Sequence, residues 1–433
     1  MQFHTLKDAL IDELHTRPFP VIMLPAKVSS IAVLNPAPVE TEIQRLAALA
    51  SEWAMPAPEQ GASCFYQSCD SFDIRWERHN EFSTYTVIKS GPADGTVGGA
   101  DALDDREQGA LALLGSDWLS SISGEIISAN HIQLLPLDAA PSGREALRQY
   151  FDGERLIGGK IYDGNATIWT SMRSHSDGFT KTLVIADGIN ASQAGRAVRN
   201  LLEISTYRSM TLLALPTAKA LLPEISTLER RLSETSEKLK QLETMEDEQN
   251  LMAELIAEAT QVEKLIADHS FRFSATEAYF NLTETRLDML REEKIPSIRT
   301  LKQFHVRRFI PAYNTCVSVV KRKQNLSQRI GRTSELLHSR LQLSLEDQNQ
   351  RLLASMDNRS KLQLRLQQTV EGLSVVAITY YSMSLIKLMV DPLPVETYVP
   401  FGDALIVAVA TPLVFLSTLF MVRRIRKKLG DSE

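Results

Sequence analysis

Two short blocks of this chain gather the residue types that bind anions, metals and protons. His15 and Arg17 stand in Glu13-Leu14-His15-Thr16-Arg17-Pro18, and Arg75, Glu77, His79 and Glu81 alternate through the run from Arg75 to Glu81. If the second block is a strand, its four polar residues share one face, because strand side chains alternate with period two. Arg17 and Arg75 would then suit a phosphate or carboxylate ligand, while Glu77, His79 and Glu81 are a set that a metal ion accepts. The same pattern describes a charged sheet face laced by ion pairs, a common unit of sheet stabilisation, and the spacing favours that plainer reading.

Other chemistry is thinly represented. Cys64 and Cys69 are five apart with no second Cys or His pair at zinc-site spacing, so Cys64-Phe65-Tyr66-Gln67-Ser68-Cys69 reads as a strand with structural thiols. No Ser, Cys or Lys sits in a recognisable nucleophile motif. The loop expected from Gly91 to Gly99 lacks the Gly-Lys-Ser or Gly-Lys-Thr of a phosphate cradle. The sequence therefore implies neither an enzyme nor a cofactor.

Residues 1–216 read as the mixed α and β unit that would carry the polar blocks. Ser30 to Leu34, Phe82 to Ile88 and His131 to Leu135 are β-branched or aromatic runs bounded by Pro, Gly and Asp, as strands are. Ile157 to Tyr162 and Ala166 to Met172 flank Asp163-Gly164-Asn165, a hairpin signal because Asp-Gly supplies positive φ. Asp104 to Trp118 and Ser192 to Leu213 have helical spacing, the latter opened by Asn190 and ended before Pro216.

Residues 217–369 change to long helices. Ile225, Leu228, Leu232, Thr235, Leu239 and Leu242 step by three and four, the seam of a coiled-coil stalk. Apolar positions resume at Val262, Ile266, Phe273, Phe280, Leu287 and Leu290. Pro296 breaks that pattern, and Pro311 is expected to open the next helix in its first turn. No proline follows until Pro392, so one helix of on the order of 120 Å could run on from Ala312. Pro223 to Glu263 holds eleven acids and four bases, whereas Ser297 to Arg332 holds nine bases and no acid. Complementary antiparallel helices account for that asymmetry.

Two uncharged stretches near the C-terminal end, Gly372 to Ile386 and Ala404 to Val422, approach the roughly 20 residues that cross a bilayer as helix. We place transmembrane helices at 370–390 and 404–422, a periplasmic loop at 391–403 and a basic cytoplasmic tail at 423–433. Both outer flanks are rich in Lys and Arg, while Asp391 to Asp403 holds three acids and no base. Positive charge is retained on the cytoplasmic side, which predicts both termini inside. Met1 to Asp8 shows no basic stretch leading into an apolar one, which argues against a cleaved signal. Within the spans, Thr379, Tyr380, Tyr381, Ser382 and Thr411 either mediate helix packing or line a pore.

Composition agrees: 44% hydrophobic and 23% charged residues suffice for real cores, and three cysteines do not make a disulfide framework. A net charge of −6 is too mild to imply a nucleic-acid partner.

Long blocks of the chain resemble a known family. Glu13 to Pro18, Arg75 to Tyr85, Gly195-Arg196 with Leu201 to Arg208, Pro311 to Cys316, Glu346 to Asn349 and Gln363 to Val375 look, in that order, like signatures of the membrane-anchored bacterial family called domain of unknown function 3422. The resemblance covers nearly the whole chain and implies a bacterial inner membrane, with no activity attached. The layout is also similar to CorA-type magnesium channels, although Leu388-Met389-Val390-Asp391-Pro392 stands where those carry Gly-Met-Asn. The expectation is an α+β N-terminal domain, a coiled-coil stalk and a two-helix hairpin in the lipid bilayer. It would act as a homo-oligomeric scaffold or sensor with a cytoplasmic protein partner, or as a channel formed by a ring of subunits.

Overall fold

A computed structural model describes residues 3–7, 10–11, 20–91, 109–242, 244–391 and 402–430 of the chain. His15 and Arg17 lie outside them, as do the loop after Gly91, residues 104–108 of the expected first helix, and residues 392–401 of the expected external loop. The described residues fall into two compact units, Met1–Gln241 with Leu251–Thr333, and Leu242–Asn250 with Ser334–Glu433.

The first unit is built on a mixed sheet whose eight described strands are ordered β2-β3-β4-β1-β5-β8-β7-β6. Strands β1 (Ala26–Leu34), β2 (Cys64–Ser68), β3 (Asp73–Arg78) and β4 (Phe82–Ser90) form one half. Strands β5 (Glu125–Pro136), β6 (Ile157–Ile161), β7 (Ala166–Ser174) and β8 (Thr180–Ala186) form the other. Every pairing is antiparallel except β5 with β8. The runs expected as strands from Ser30, Phe82, His131, Ile157 and Ala166 are all strands, and Asp163-Gly164 turns the β6–β7 hairpin with φ of 59° and 87°.

Helices cover both faces, as a sheet with two apolar faces requires. On one face lies α1 (Val39–Glu52), whose Leu46 and Leu49 pack on Ile74, Trp76 and Tyr85. The short α2 (Ser116–Ser120) brings Trp118 to the same core, and α3 (Arg144–Tyr150) sets Leu147 against Leu135, Leu183 and Ile185. The helix expected over Asp104 to Trp118 is broken: Ala110–Leu114 is a 3₁₀ turn, and Gly115 at φ 78° separates it from α2.

The opposite face carries α4 (Ala191–Leu212), opened by a reciprocal capping box between Asn190 and Gln193. Its Ala194, Ala197, Val198, Leu201 and Ile204 share a core with Val28, Ile88, Ile132 and Val184. Three longer helices follow: α5 (Ala214–Lys238), α6 (Met245–Met289) and α7 (Leu301–Val390). Leu287, Leu290 and Leu301 join the sheet's own core, so the compact unit continues past Pro216. Leu213 is itself in helical conformation, and Pro216 lies in the first turn of α5, where its missing N–H costs no hydrogen bond. Pro311 is inside α7 and does not open it; Thr300 and Gln303 form the start ten residues earlier.

In the second unit, α7 continues through the first apolar stretch, and α8 (Gly402–Gly430) contains the second. Both helices are long and apolar enough to cross a membrane. Thr379 and Thr418 meet hydroxyl to hydroxyl at 3.1 Å, and each lies within hydrogen-bond reach of a carbonyl of its own helix, at Val375 and Val414, so one hydroxyl donates across and the other back to its helix.

Candidate functional site

Strand β3 places Arg75 and Glu77 on the sheet face that α4 covers, while Ile74, Trp76 and Arg78 point to the other. The register sets Arg75 opposite Thr86 and Glu77 opposite Thr84, and Thr86 opposite Ser30, so a polar strip crosses three strands. Ser30 and Thr86 share a hydrogen bond of 2.8 Å inside it. Arg75 donates to Glu77 at 2.8 Å, with both side chains nearly buried. His79 follows the end of β3 and stacks on Phe82 at 4.4 Å.

Helix α4 supplies the opposing wall. Arg199 and Glu203, one turn apart, pair at 2.7 Å, and Glu203 also accepts from Arg286 of α6. Burial alone would lower the Arg199 guanidinium, but Glu203, with Glu77 behind it, leaves it above its ordinary value. Burial, reinforced by Glu203, pushes the Tyr207 phenol up, so it stays protonated. Arg75, Glu77, His79, Arg199, Glu203 and Tyr207 line one cleft of about 40 Å³, room for a few waters or a small anion.

The fourth residue of the block departs from the others. Glu81 lies in the turn after β3, beyond the alternation that the sequence suggests, and Arg272 of α6 holds it in a two-pronged pair at 2.7 and 3.3 Å. Arg272, Tyr279 and Arg286 recur every seventh residue of α6, which sets them on one face. Arg272 holds Glu81, Tyr279 stacks on Tyr207 at 5.8 Å, and Arg286 holds Glu203. The charged strip is therefore paired within β3, within α4, between α4 and α6, and from α6 to the turn after β3, where the sequence alone suggested pairs between strands. Among the described residues no group of His, Cys, Asp and Glu is placed to hold a metal ion.

Sequence reasoning had not singled out α4 and α6 as walls of this site. The Arg199–Glu203 spacing was a visible signal; the reach of α6 was not, because Arg286 stands 83 positions from its partner. Glu42 was missed too. This carboxylate of α1 is 1% exposed and accepts from Tyr85 at 2.5 Å, Ser83 at 3.0 Å and Arg78, fastening α1 to the far sheet face.

A second polar assembly has the partners of a hydrolytic triad. Ser171 Oγ is 3.3 Å from His175 Nε2, and His175 Nδ1 is 2.7 Å from Asp152. Such triads need a reachable hydroxyl and a buried acid. Here Ser171 is 5% exposed and the Asp152 side chain 64%, so the order is inverted and the assembly pins the turn after β7.

Between α7 and α8, Thr379, Tyr380 and Thr411 line a cleft of about 400 Å³ together with Ser384 and Lys387. Tyr381 and Ser382 do not line it, and Tyr381 is exposed.

A mixed sheet covered by helices on both faces, followed by two helices long and apolar enough to cross a membrane, defines an α+β protein with two candidate spans. The chain belongs to the family described as Protein of unknown function (DUF3422), which matches residues 2–429. No curated protein matches it.

Proposed function

We propose that the protein is an inner-membrane-anchored, self-associating scaffold or sensor, with both termini and the α+β unit in the cytoplasm. The observation that carries this reading is α7 itself. Its first residues, Leu301 and Phe304, pack in the core of the α+β unit, and the same helix runs unbroken to Val390 through the apolar stretch. A rearrangement where α4, α6 and the sheet interlock has a direct covalent path to the membrane. The basic flanks around the two apolar stretches support the inward orientation.

Self-association draws support from the same helix. Leu345, Leu352, Met356, Leu366 and Val370 are each at least 49% exposed and fall near one face of α7. A second copy presenting the same stripe would cover them, as heptad-spaced apolar residues do in coiled coils. The test is the mass of the detergent-purified protein by light scattering, corrected for bound detergent. A dimer supports the scaffold or sensor; a monomer overturns self-association. A ring of four or more subunits that conducts divalent cations in proteoliposomes, and stops when Thr379 is changed to Leu, would replace it with a channel, since two spans cannot enclose a pore alone.

A further inference from the structure

A second concave surface of the first unit, away from the Arg75 cleft, has a strongly one-sided charge. Arg144 and Arg148 of α3, Arg155 just beyond it, and Lys294 and Arg299 of the α6–α7 connection line a groove of about 640 Å³. That volume falls within the range of about 300–1,000 Å³ found for small-molecule sites. The lining acid, Glu154, is engaged by Arg173 at 3.3 Å. Among the described residues none of the five cations forms an ion pair, whereas elsewhere in this unit arginines such as Arg75, Arg272, Arg286 and Arg322 hold carboxylates.

The cations are also held together. The connection is stitched to β6 through main-chain hydrogen bonds, Gly158 N to Arg299 O at 2.9 Å, Lys160 N to Glu293 O at 3.0 Å and Glu293 N to Lys160 O at 2.7 Å. A Cβ on Gly159 would come within 2.9 Å of the Glu293 carbonyl oxygen as well as 2.6 Å of the Glu292 carboxylate, so this close approach of two backbones depends on glycine. The backbone beneath Lys294 and Arg299 is thereby fixed facing α3, and like charges are kept near one another. That arrangement raises the free energy of the empty groove and lowers it when an anion enters. Four of the five cations are arginines, whose planar forks match oxyanions two hydrogen bonds at a time.

We propose that this groove is a binding site for a phosphate-bearing small ligand. It goes beyond the self-association reading and does not depend on it. The phosphate could be carried by a soluble phosphoester or by a lipid headgroup, and both offer the same oxygens.

Pyrophosphate titrated into the full-length protein in non-ionic detergent, followed by calorimetry, is the first arm. Saturable binding is expected that weakens tenfold or more in Arg144→Ala/Arg155→Ala, whose exposed side chains can be removed without unfolding the unit; an unchanged melting temperature of the variant checks this. In the second arm, protein in phosphatidylcholine nanodiscs is mixed with vesicles with or without phosphatidic acid. Flotation with the acidic vesicles alone, lost in the double variant, assigns the headgroup as the source. Binding in the first arm without flotation assigns a soluble ligand. No binding in either arm, or binding that the double variant leaves unchanged, overturns the proposal. The mass measurement reads α7 and does not respond to any of these outcomes.

Discussion

Gly195 lies inside α4, where glycine is unfavourable by roughly 1 kcal/mol relative to alanine, and its reason is visible at atomic scale. The chain at Pro20 crosses the helix there, and a Cβ would come within 1.7 Å of the Pro20 carbonyl oxygen. Gly195→Ala should therefore destabilise by about 1–3 kcal/mol despite its better helix propensity, measured by denaturant melts. His131 gives a pH dependence. Burial under Gly109 and a stacked Phe179 lowers its pKa to about 4. Between pH 4 and about 6.5 the unfolded chain takes up a proton that the folded chain refuses, so acidification favours unfolding. Stability is fully present above about pH 6.5 and declines toward pH 4, by on the order of 3 kcal/mol for this group. Melting temperature against pH should flatten over that window in His131→Gln. At this scale the shared face of Arg75 and Glu77 was legible because period two makes a strand face visible, whereas β3 ends at Arg78, before His79 and Glu81, and Glu42 read as one more polar residue of an amphipathic helix.

Helices α5, α6 and α7 show how much charge patterning alone reveals. The opposite charges of the two segments predicted complementary faces, and Arg322 does hold Glu229 with two hydrogen bonds of 2.9 and 2.6 Å. Lys323 beside it is different: 4% exposed, it donates to the Leu265 carbonyl at 3.2 Å and sits 5.0 Å from the Phe273 ring centre. Because a buried charge gains little over a well-packed apolar chain, Lys323→Met should leave the melting temperature unchanged or raise it. Lys323→Ala should cost about 2 kcal/mol or more through the cavity it leaves. A large loss in the Met variant would mean that the charge itself is required. Pro311 misled the sequence reading, since proline at a helix start is more common than proline within. The broken helix before Trp118 did so too, because Gly115 allows a φ that apolar spacing cannot reveal.

For the molecule as a whole, the proposed self-association makes a sharp prediction about α7. Leu352→Glu with Leu366→Glu places two carboxylates on its exposed apolar face, and the detergent-corrected mass should fall to that of one chain. An unchanged mass would assign the contact to another surface. The fold class was readable from composition shifts and from the two apolar stretches, since both are long-range averages that single residues do not disturb. The boundary of the compact unit was not, because Leu287, Leu290 and Leu301 are ordinary helical leucines until the sheet core takes them in.

The stitching of the α6–α7 connection to β6 has a further consequence. A sheet edge exposes unpaired N–H and C=O groups that any other extended chain can extend. Along β6 those groups at Gly158 and Lys160 are already taken by the chain's own backbone, and the opposite edge, β2, is only five residues long. Held at a membrane as proposed above, the protein would meet its copies far more often than in bulk solution. With one margin sealed and the other short, such encounters have little backbone on which to nucleate a runaway intermolecular sheet.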